Sequence, residues 1–352
     1  MIGLPDRIHM ESELTLRRAR RPRVPGLWAV AIGLALAGCG WLDSPATTLT
    51  PRSDFGWISH RIFLQILRWD TGIFVVVQIL LLIAIFRFRE RDPKAIPPQV
   101  RGSVKLELVW TVIPAVILTF IAFPTVGAIF RTQAAPPKDA LRVRVIGHQW
   151  WWEFQYPDLG FATATDLHLP AGRPVSLEIA GADVIHSFWV PQLGGKRDAI
   201  PGGITRIVLT PDAPGEYYGQ CAEFCGASHA NMRHLAVVDA PEAFAAWAAS
   251  QKEPAPTPPD GSPAAAGRDV FRTAACVGCH TIRGVSTGGI GPDLTHFGSR
   301  KTIAGGIFPN TPENLARWVR HAPGLKPGSL MPEQRLSDPE VAALVAYLGS
   351  LR

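Results

Sequence analysis

Apolar residues crowd into three stretches early in the chain and are dispersed afterwards, and the change of spacing marks a change of element. The first stretch, Leu27 to Gly38, is short and follows Arg17, Arg18, Arg20, Arg21 and Arg23. A basic run, a short apolar core and then small residues read as a signal peptide rather than a spanning helix. The second and third stretches, Asp70 to Phe86 and Leu106 to Phe130, are rich in Ile, Leu, Val and Phe. Each approaches the ~20 residues that cross a bilayer as a helix, so transmembrane helices are expected over residues 70–88 and 106–130.

From Leu141 to Val238 short β-branched runs recur: 141–145, 175–179, 204–209 and 234–238. Turn residues punctuate them at Pro170-Ala171-Gly172, Pro201-Gly202-Gly203 and Pro214-Gly215. Period-two strands with regular turns predict an antiparallel sandwich or barrel over residues 137–240, and about a hundred residues can enclose one core. Glu242 to Gln251 reads as a short helix, and the Pro-rich stretch that follows is a semi-extended linker, making 241–262 a connection. Residues 263–352 read as a compact helical domain, with helices leading into Cys276, over Thr311 to His321, and over Asp338 to Leu351. In the last, Val341, Leu344, Val345 and Leu348 share one face at helical spacing. The expected architecture is a multidomain membrane protein with two transmembrane helices, an all-β domain and an all-α domain.

Charge adds topology. The chain has a net charge of +6. Six arginines and three acids precede Cys39, a net of +3. The segment ends Leu36-Ala37-Gly38-Cys39, similar to a bacterial lipobox. Residues 1–38 would then be removed and Cys39 lipidated as the first residue of an outer segment, 39–69; an unlipidated Cys in an uncleaved helix is the competing reading. Six cations and two acids lie between Arg87 and Lys105. Their excess places the loop 89–105 in the cytoplasm and both globular domains outside. The basic balance reports topology and implies no nucleic-acid partner.

The chemistry is concentrated in two short segments. Cys221-Ala222-Glu223-Phe224-Cys225-Gly226-Ala227-Ser228-His229-Ala230-Asn231-Met232 packs two thiols, an imidazole and a thioether into twelve residues. Sulfur with imidazole is a copper-selecting donor set. Two thiolates four residues apart can bridge two metals, with His229 and His186 as terminal ligands, Met232 completing one and the Glu223 carbonyl the other. A Cys221–Cys225 disulfide and a structural zinc site compete with this reading, although zinc leaves Met232 unexplained. The second segment, Cys276-Val277-Gly278-Cys279-His280, is the attachment pattern of a c-type haem, with a redox dithiol as the alternative. His280 would lie under the iron. Met331 is the remaining methionine that could face it, against His296 and His321 as imidazole alternatives.

His186-Ser187-Phe188-Trp189-Val190-Pro191, Lys196-Arg197-Asp198-Ala199-Ile200-Pro201-Gly202, Tyr217-Tyr218-Gly219-Gln220-Cys221 and Gly147-His148-Gln149-Trp150-Trp151-Trp152 resemble subunit II of cytochrome c oxidase over about residues 50–240. Residues 263–352 resemble a small class I cytochrome c, with Pro292 matching the proline beside the haem-binding histidine. The resemblance implies a cupredoxin sandwich holding a dinuclear copper A centre, and one covalently bound haem c. It implies that the Glu223 side chain shares a magnesium ion with subunit I and that Trp150 receives electrons from a cytochrome c donor. It also implies that Glu107 sits at the mouth of a proton-uptake path, where a plain interfacial carboxylate is the alternative. Trp151 departs from the family's usual Tyr. The implied function is respiratory electron transfer to subunit I, where oxygen is reduced with proton pumping, in a bacterial inner membrane. No residue of this chain would be an acid–base or nucleophilic catalyst. A copper subunit of a nitric oxide reductase, a copper-free quinol-oxidase subunit and a membrane-anchored electron carrier are the alternatives.

Overall fold

The computed structural model describes residues 44–89, 99 and 101–352. The expected signal segment, Cys39 and most of the loop between the apolar stretches lie outside the described residues.

Helix α1 (Asp54–Arg87) runs 34 residues, about 51 Å at 1.5 Å per residue. It therefore begins well before the apolar stretch. Ser53 caps it by accepting from Gly56 N, and its first turn packs on the β-domain, where Asp54 Oδ1 accepts from Thr210 N at 2.7 Å. Trp57 Nε1 donates to Asp212 at 2.8 Å. Helix α2 (Val104–Thr132) carries Pro114 and Pro124 internally, which neighbouring groups can accommodate inside a membrane. Gln65 Nε2 donates to Phe120 O at 2.9 Å and Trp69 stacks on Phe120. Both helices are long and apolar enough to cross a membrane, and their apolar side chains are exposed in the isolated chain.

Ten strands form the β-domain: β1 (Leu141–His148), β2 (Trp151–Tyr156), β3 (Phe161–Ala164), β4 (Asp166–Pro170), β5 (Val175–Gly181), β6 (His186–Trp189), β7 (Arg197–Ala199), β8 (Thr205–Leu209), β9 (Gly215–Cys221) and β10 (Arg233–Asp239). They make two five-stranded sheets, ordered β3-β2-β1-β5-β8 and β4-β10-β9-β6-β7. The pairs β1/β5 and β4/β10 are parallel, so the sandwich is mixed rather than purely antiparallel. Alternation in β1 sends Leu141, Val143 and Val145 inward and leaves Arg142 and Arg144 outside. The same period on β9 turns Tyr217, Gly219 and Cys221 inward, which is how a strand of the core delivers one thiol to the end of the sandwich.

Helix α3 (Pro241–Ser250) closes one side of this core through Phe244 and Ala248. The C-terminal domain contains α4 (Pro263–Thr273), α5 (Pro312–Leu325) and α6 (Asp338–Ser350) around a separate core. Its helix starts are written locally. Ser262 and Thr311 cap α4 and α5 with Pro next in sequence, and Ser337 forms a capping box with Glu340. α5 is broken at His321, two residues before Pro323. α4 and α6 cross at Gly267, where a Cβ would lie 2.5 Å from the Ala343 carbonyl carbon.

Candidate metal centre

Three segments converge at one end of the sandwich. Cys221 ends β9, His186 begins β6, and the loop from Ala222 to Met232 returns the chain to β10. Cys221 N donates to Met232 O at 2.9 Å and Ala222 N to Ser187 O at 2.9 Å, so the mouth of the loop is fixed by backbone bonds. Inside it, Cys221 Sγ and Cys225 Sγ stand 3.8 Å apart. Cys221 Sγ is 4.0 Å from His186 Nδ1, and Cys225 Sγ is 3.6 Å from His229 Nδ1 and 3.9 Å from Met232 Sδ. The Glu223 carbonyl lies 3.2 Å from Cys221 Sγ, while its side chain is exposed.

The sulfur separation is far beyond the ~2.05 Å of a disulfide, and both thiols are free. It is within the reach of two sulfurs sharing a soft ion at ~2.3 Å each. His186, Cys221 and Cys225 present one ligand atom each within 4.8 Å of one another. Burial, reinforced by the Cys221 thiol, pushes the Cys225 thiol up to about 12. Without a cation the Cys225 sulfur keeps its proton, and a metal binding there would have to displace it.

His186 is wholly buried, and burial lowers its pKa despite its bond to Asp183. Asp183 Oδ1 accepts from His186 Nε2 at 2.8 Å and from Val184 N at 2.7 Å; Oδ2 accepts from Gln149 N at 2.7 Å. Burial opposes ionisation of Asp183, but these bonds outweigh it and hold the carboxyl below its usual value. An ionised carboxylate only accepts, so Nε2 carries the proton and Nδ1 presents its lone pair toward Cys221. Sequence reasoning gave Asp183 no role; its signal was an acid three residues before a candidate ligand.

The floor of the site is aromatic. Trp152 is edge-on to His186 at 5.9 Å and to Phe188 at 5.3 Å. His234, also unremarked in the sequence, is buried against Phe188, and burial alone pushes it down to about 3, so it stays neutral. Trp150 Nε1 and Gln149 Nε2 both donate to the Cys225 carbonyl, at 3.0 and 2.7 Å.

In the C-terminal domain, Cys276, Cys279 and His280 follow α4 on a single turn. His280 Nδ1 donates to Pro292 O at 2.9 Å, which leaves the Nε2 lone pair available to a metal. Burial lowers its pKa and so favours the neutral ring. A Cβ on Gly291 would meet His280 Cε1 at 2.6 Å, so this glycine is what lets the chain pack against the ring. The two half-buried thiols and the neutral imidazole suit a covalently attached haem. Met331 is half-buried on the loop between α5 and α6. His296 Nε2 instead donates to Glu253 O at 3.0 Å, and His321 pairs with Glu333. Glu107 stands apart from both sites, exposed in the first turn of α2.

Comparison with known proteins matches three family models: the transmembrane domain of cytochrome c oxidase subunit II over residues 53–127, its periplasmic domain over 161–240, and cytochrome c over 264–352. The chain is 37% identical to cytochrome c oxidase subunit 2 of Alkalihalophilus pseudofirmus, covering 91% of this chain and 94% of that protein. It is 36% identical to the protein of that name from Bacillus sp. PS3, covering 76% and 80%. With that of Bacillus subtilis it shares 31% identity, covering 91% and 95%.

Proposed function

We propose the following division of labour for this chain, which belongs to the cytochrome c oxidase subunit II family and ends in a cytochrome c domain. It is the electron-carrying subunit of a haem–copper oxidase, anchored in the membrane by α1 and α2 and working with other oxidase subunits. A dinuclear copper A centre would be held by Cys221, Cys225, His186, His229, Met232 and the Glu223 carbonyl. Cys276 and Cys279 would attach one haem c, and His280 and Met331 would hold its iron. When bound, these groups supply one-electron chemistry between a cytochrome c donor and subunit I, where oxygen is reduced to water with proton pumping.

Each surrounding residue then has a physical task. Asp183 fixes the His186 ring, and the Gln149–Trp150 clasp fixes the Cys225 carbonyl. The aromatic floor keeps the donors dry, so changes of charge are met by fixed groups rather than by reorganising water. Trp150 carries the electron toward Cys225. The exposed Glu223 carboxylate would hold a magnesium ion shared with subunit I, and Glu107 would take up protons at the cytoplasmic end of α2. Both globular domains face the periplasm of a bacterial inner membrane, with Cys39 acylated.

The single observation that carries this reading is the chain of donors, Nδ1 to Sγ to Sγ to Nδ1 with Sδ beside them, each step 3.6 to 4.0 Å. The test is metal analysis of the purified full chain. Two coppers and one covalent haem are expected, with an electron paramagnetic resonance signal split by two equivalent copper nuclei. Zinc, a single cupric ion or a Cys221–Cys225 disulfide would overturn it.

A further inference from the structure

We propose that Lys326 is a positioning residue that latches the cytochrome domain onto Trp150, reserving that indole for the haem of its own chain and closing it to a separate soluble carrier. The inference rests on the copper and haem assignment just given.

Lys326 follows α5 and is only 3% exposed, although lysine is among the residues least often fully buried. Its Nζ donates to Trp150 O at 2.6 Å and to Ala304 O at 2.7 Å. One acceptor belongs to the β-domain and the other to the cytochrome domain, so a single amine ties the two together. Burial pushes its pKa down to about 7, and even the neutral amine keeps the two N–H donors that these two carbonyls require. An apolar side chain would fill the same space without desolvating an amine. What the amine adds is direction: it fixes where the Trp150 carbonyl sits relative to the cytochrome domain.

The contact continues along the chain. Ser228 Oγ donates to Pro327 O at 2.7 Å. Gly328 has φ +82°, and a Cβ there would lie 2.5 Å from Trp150 Cη2, so the bare backbone lies directly on the indole. Arg233 N donates to Gly305 O at 2.8 Å on the flank. Trp150 is thereby reduced to 8% exposure, while its Nε1 bonds the carbonyl of Cys225. Met331 lies three residues beyond Gly328 on the same loop. The segment carrying one proposed haem ligand and the indole bonded to a proposed copper ligand therefore share one contact. A free carrier would have to displace this loop to reach Trp150.

The test uses the full chain in detergent and compares it with Lys326→Met, which keeps the length and loses both bonds. Hydroxyl-radical labelling read by mass spectrometry reports the latch without reference to activity. Trp150 should be protected in the parent, and in the variant its labelling should approach that of Trp57, which is 45% exposed. Flash-induced haem-to-copper transfer should slow severalfold. The haem spectrum and the copper resonance should stay unchanged. Added soluble cytochrome c should gain a phase of direct copper reduction that the parent lacks. Ser228→Ala, which removes only the neighbouring bond, should shift labelling in the same direction by less and serves if Lys326→Met does not fold. Unchanged Trp150 labelling in the folded variants, or direct copper reduction already present in the parent, would overturn the latch. Absence of copper or haem from the parent would overturn the functional reading instead, and the labelling would still decide the latch.

Discussion

Asp183→Asn isolates the role of a residue that touches no metal. The carboxylate accepts three hydrogen bonds, from His186 Nε2, Val184 N and Gln149 N, whereas an amide has one oxygen. If that oxygen takes the Oδ1 position, the new NH2 faces the Gln149 N–H and two donors collide. If it takes the Oδ2 position, the NH2 faces both Nε2 and the Val184 N–H, losing the bond from Val184 and driving the His186 proton onto Nδ1, the atom turned toward Cys221. Either way one bond to a charged acceptor is lost, worth about 1.5–3 kcal/mol. Asp183 has a side-chain exposure of 36%, so water recovers part of that and the low end applies. The expected loss is about tenfold in copper affinity, at the lower edge of the range for residues that orient a metal-bound histidine. Chelator competition on the full chain measures it, with the copper resonance reporting the geometry of whatever metal remains. The haem spectrum should not move. Parent affinity with an unchanged resonance would refute the reasoning and mean that packing against Trp152 alone orients the ring.

Three further outcomes follow from the same geometry. Gly267→Ala should destabilise the cytochrome domain by about 1–3 kcal/mol or more, because backbone meets backbone and no rotamer change relieves it; denaturant unfolding read at the haem band checks this, and an unmoved midpoint would contradict the close crossing. Met331→His should lower the haem potential while both thioether links keep the haem in place, as a redox titration will register. Copper loading should release protons, because burial keeps the Cys225 thiol protonated up to about 12. Metal binding displaces that proton, so apparent affinity rises with pH and falls as pH falls; calorimetry in buffers of different ionisation enthalpy would show no such release if the thiols were not the ligands.

Much of this was legible in the sequence because it is local. The twelve residues from Cys221 to Met232 declare a donor set by composition, and the Ser-Pro and Thr-Pro helix starts declare α4 and α5. Strands β1, β5, β8 and β10 follow from β-branched runs. β2 and β6 were less visible because Trp151, Trp152, His186 and Phe188 belong to aromatic motifs that mask the period of two. α1 begins at Asp54 because a capped, polar-sided helix can continue out of a membrane onto a folded domain, and hydropathy marks only the apolar part. The parallel pairs β1/β5 and β4/β10 leave no local signature at all. Lys326 is hidden for the same reason, since its acceptors on Trp150 and Ala304 are distant in sequence; Asp183 lies three residues before His186, and only its bond from Gln149 is remote.

The seam between the β-domain and the cytochrome domain makes sense as a device for register rather than for affinity. The linker already holds the domains at an effective concentration on the order of mM, so little extra attraction is needed. Yet the seam buries polar groups at a cost. Burial raises the pKa of Asp166, offset only in part by Thr302 Oγ1 at 2.6 Å and Lys301 N at 2.5 Å. Arg283 donates to Lys252 O at 2.8 Å and also to Gln251 O, pinning the start of the linker. Lys326 reaches Trp150 O. Each of these groups is satisfied across the seam in one placement, and a slip of one residue would strand a buried donor or acceptor at about 1–3 kcal/mol each. A greasy interface of equal area would hold the domains together and let them slide. Electron transfer between fixed centres gains nothing from tighter holding once the tether is present, but it gains from a fixed separation, and polar bonds with single solutions are what supply it.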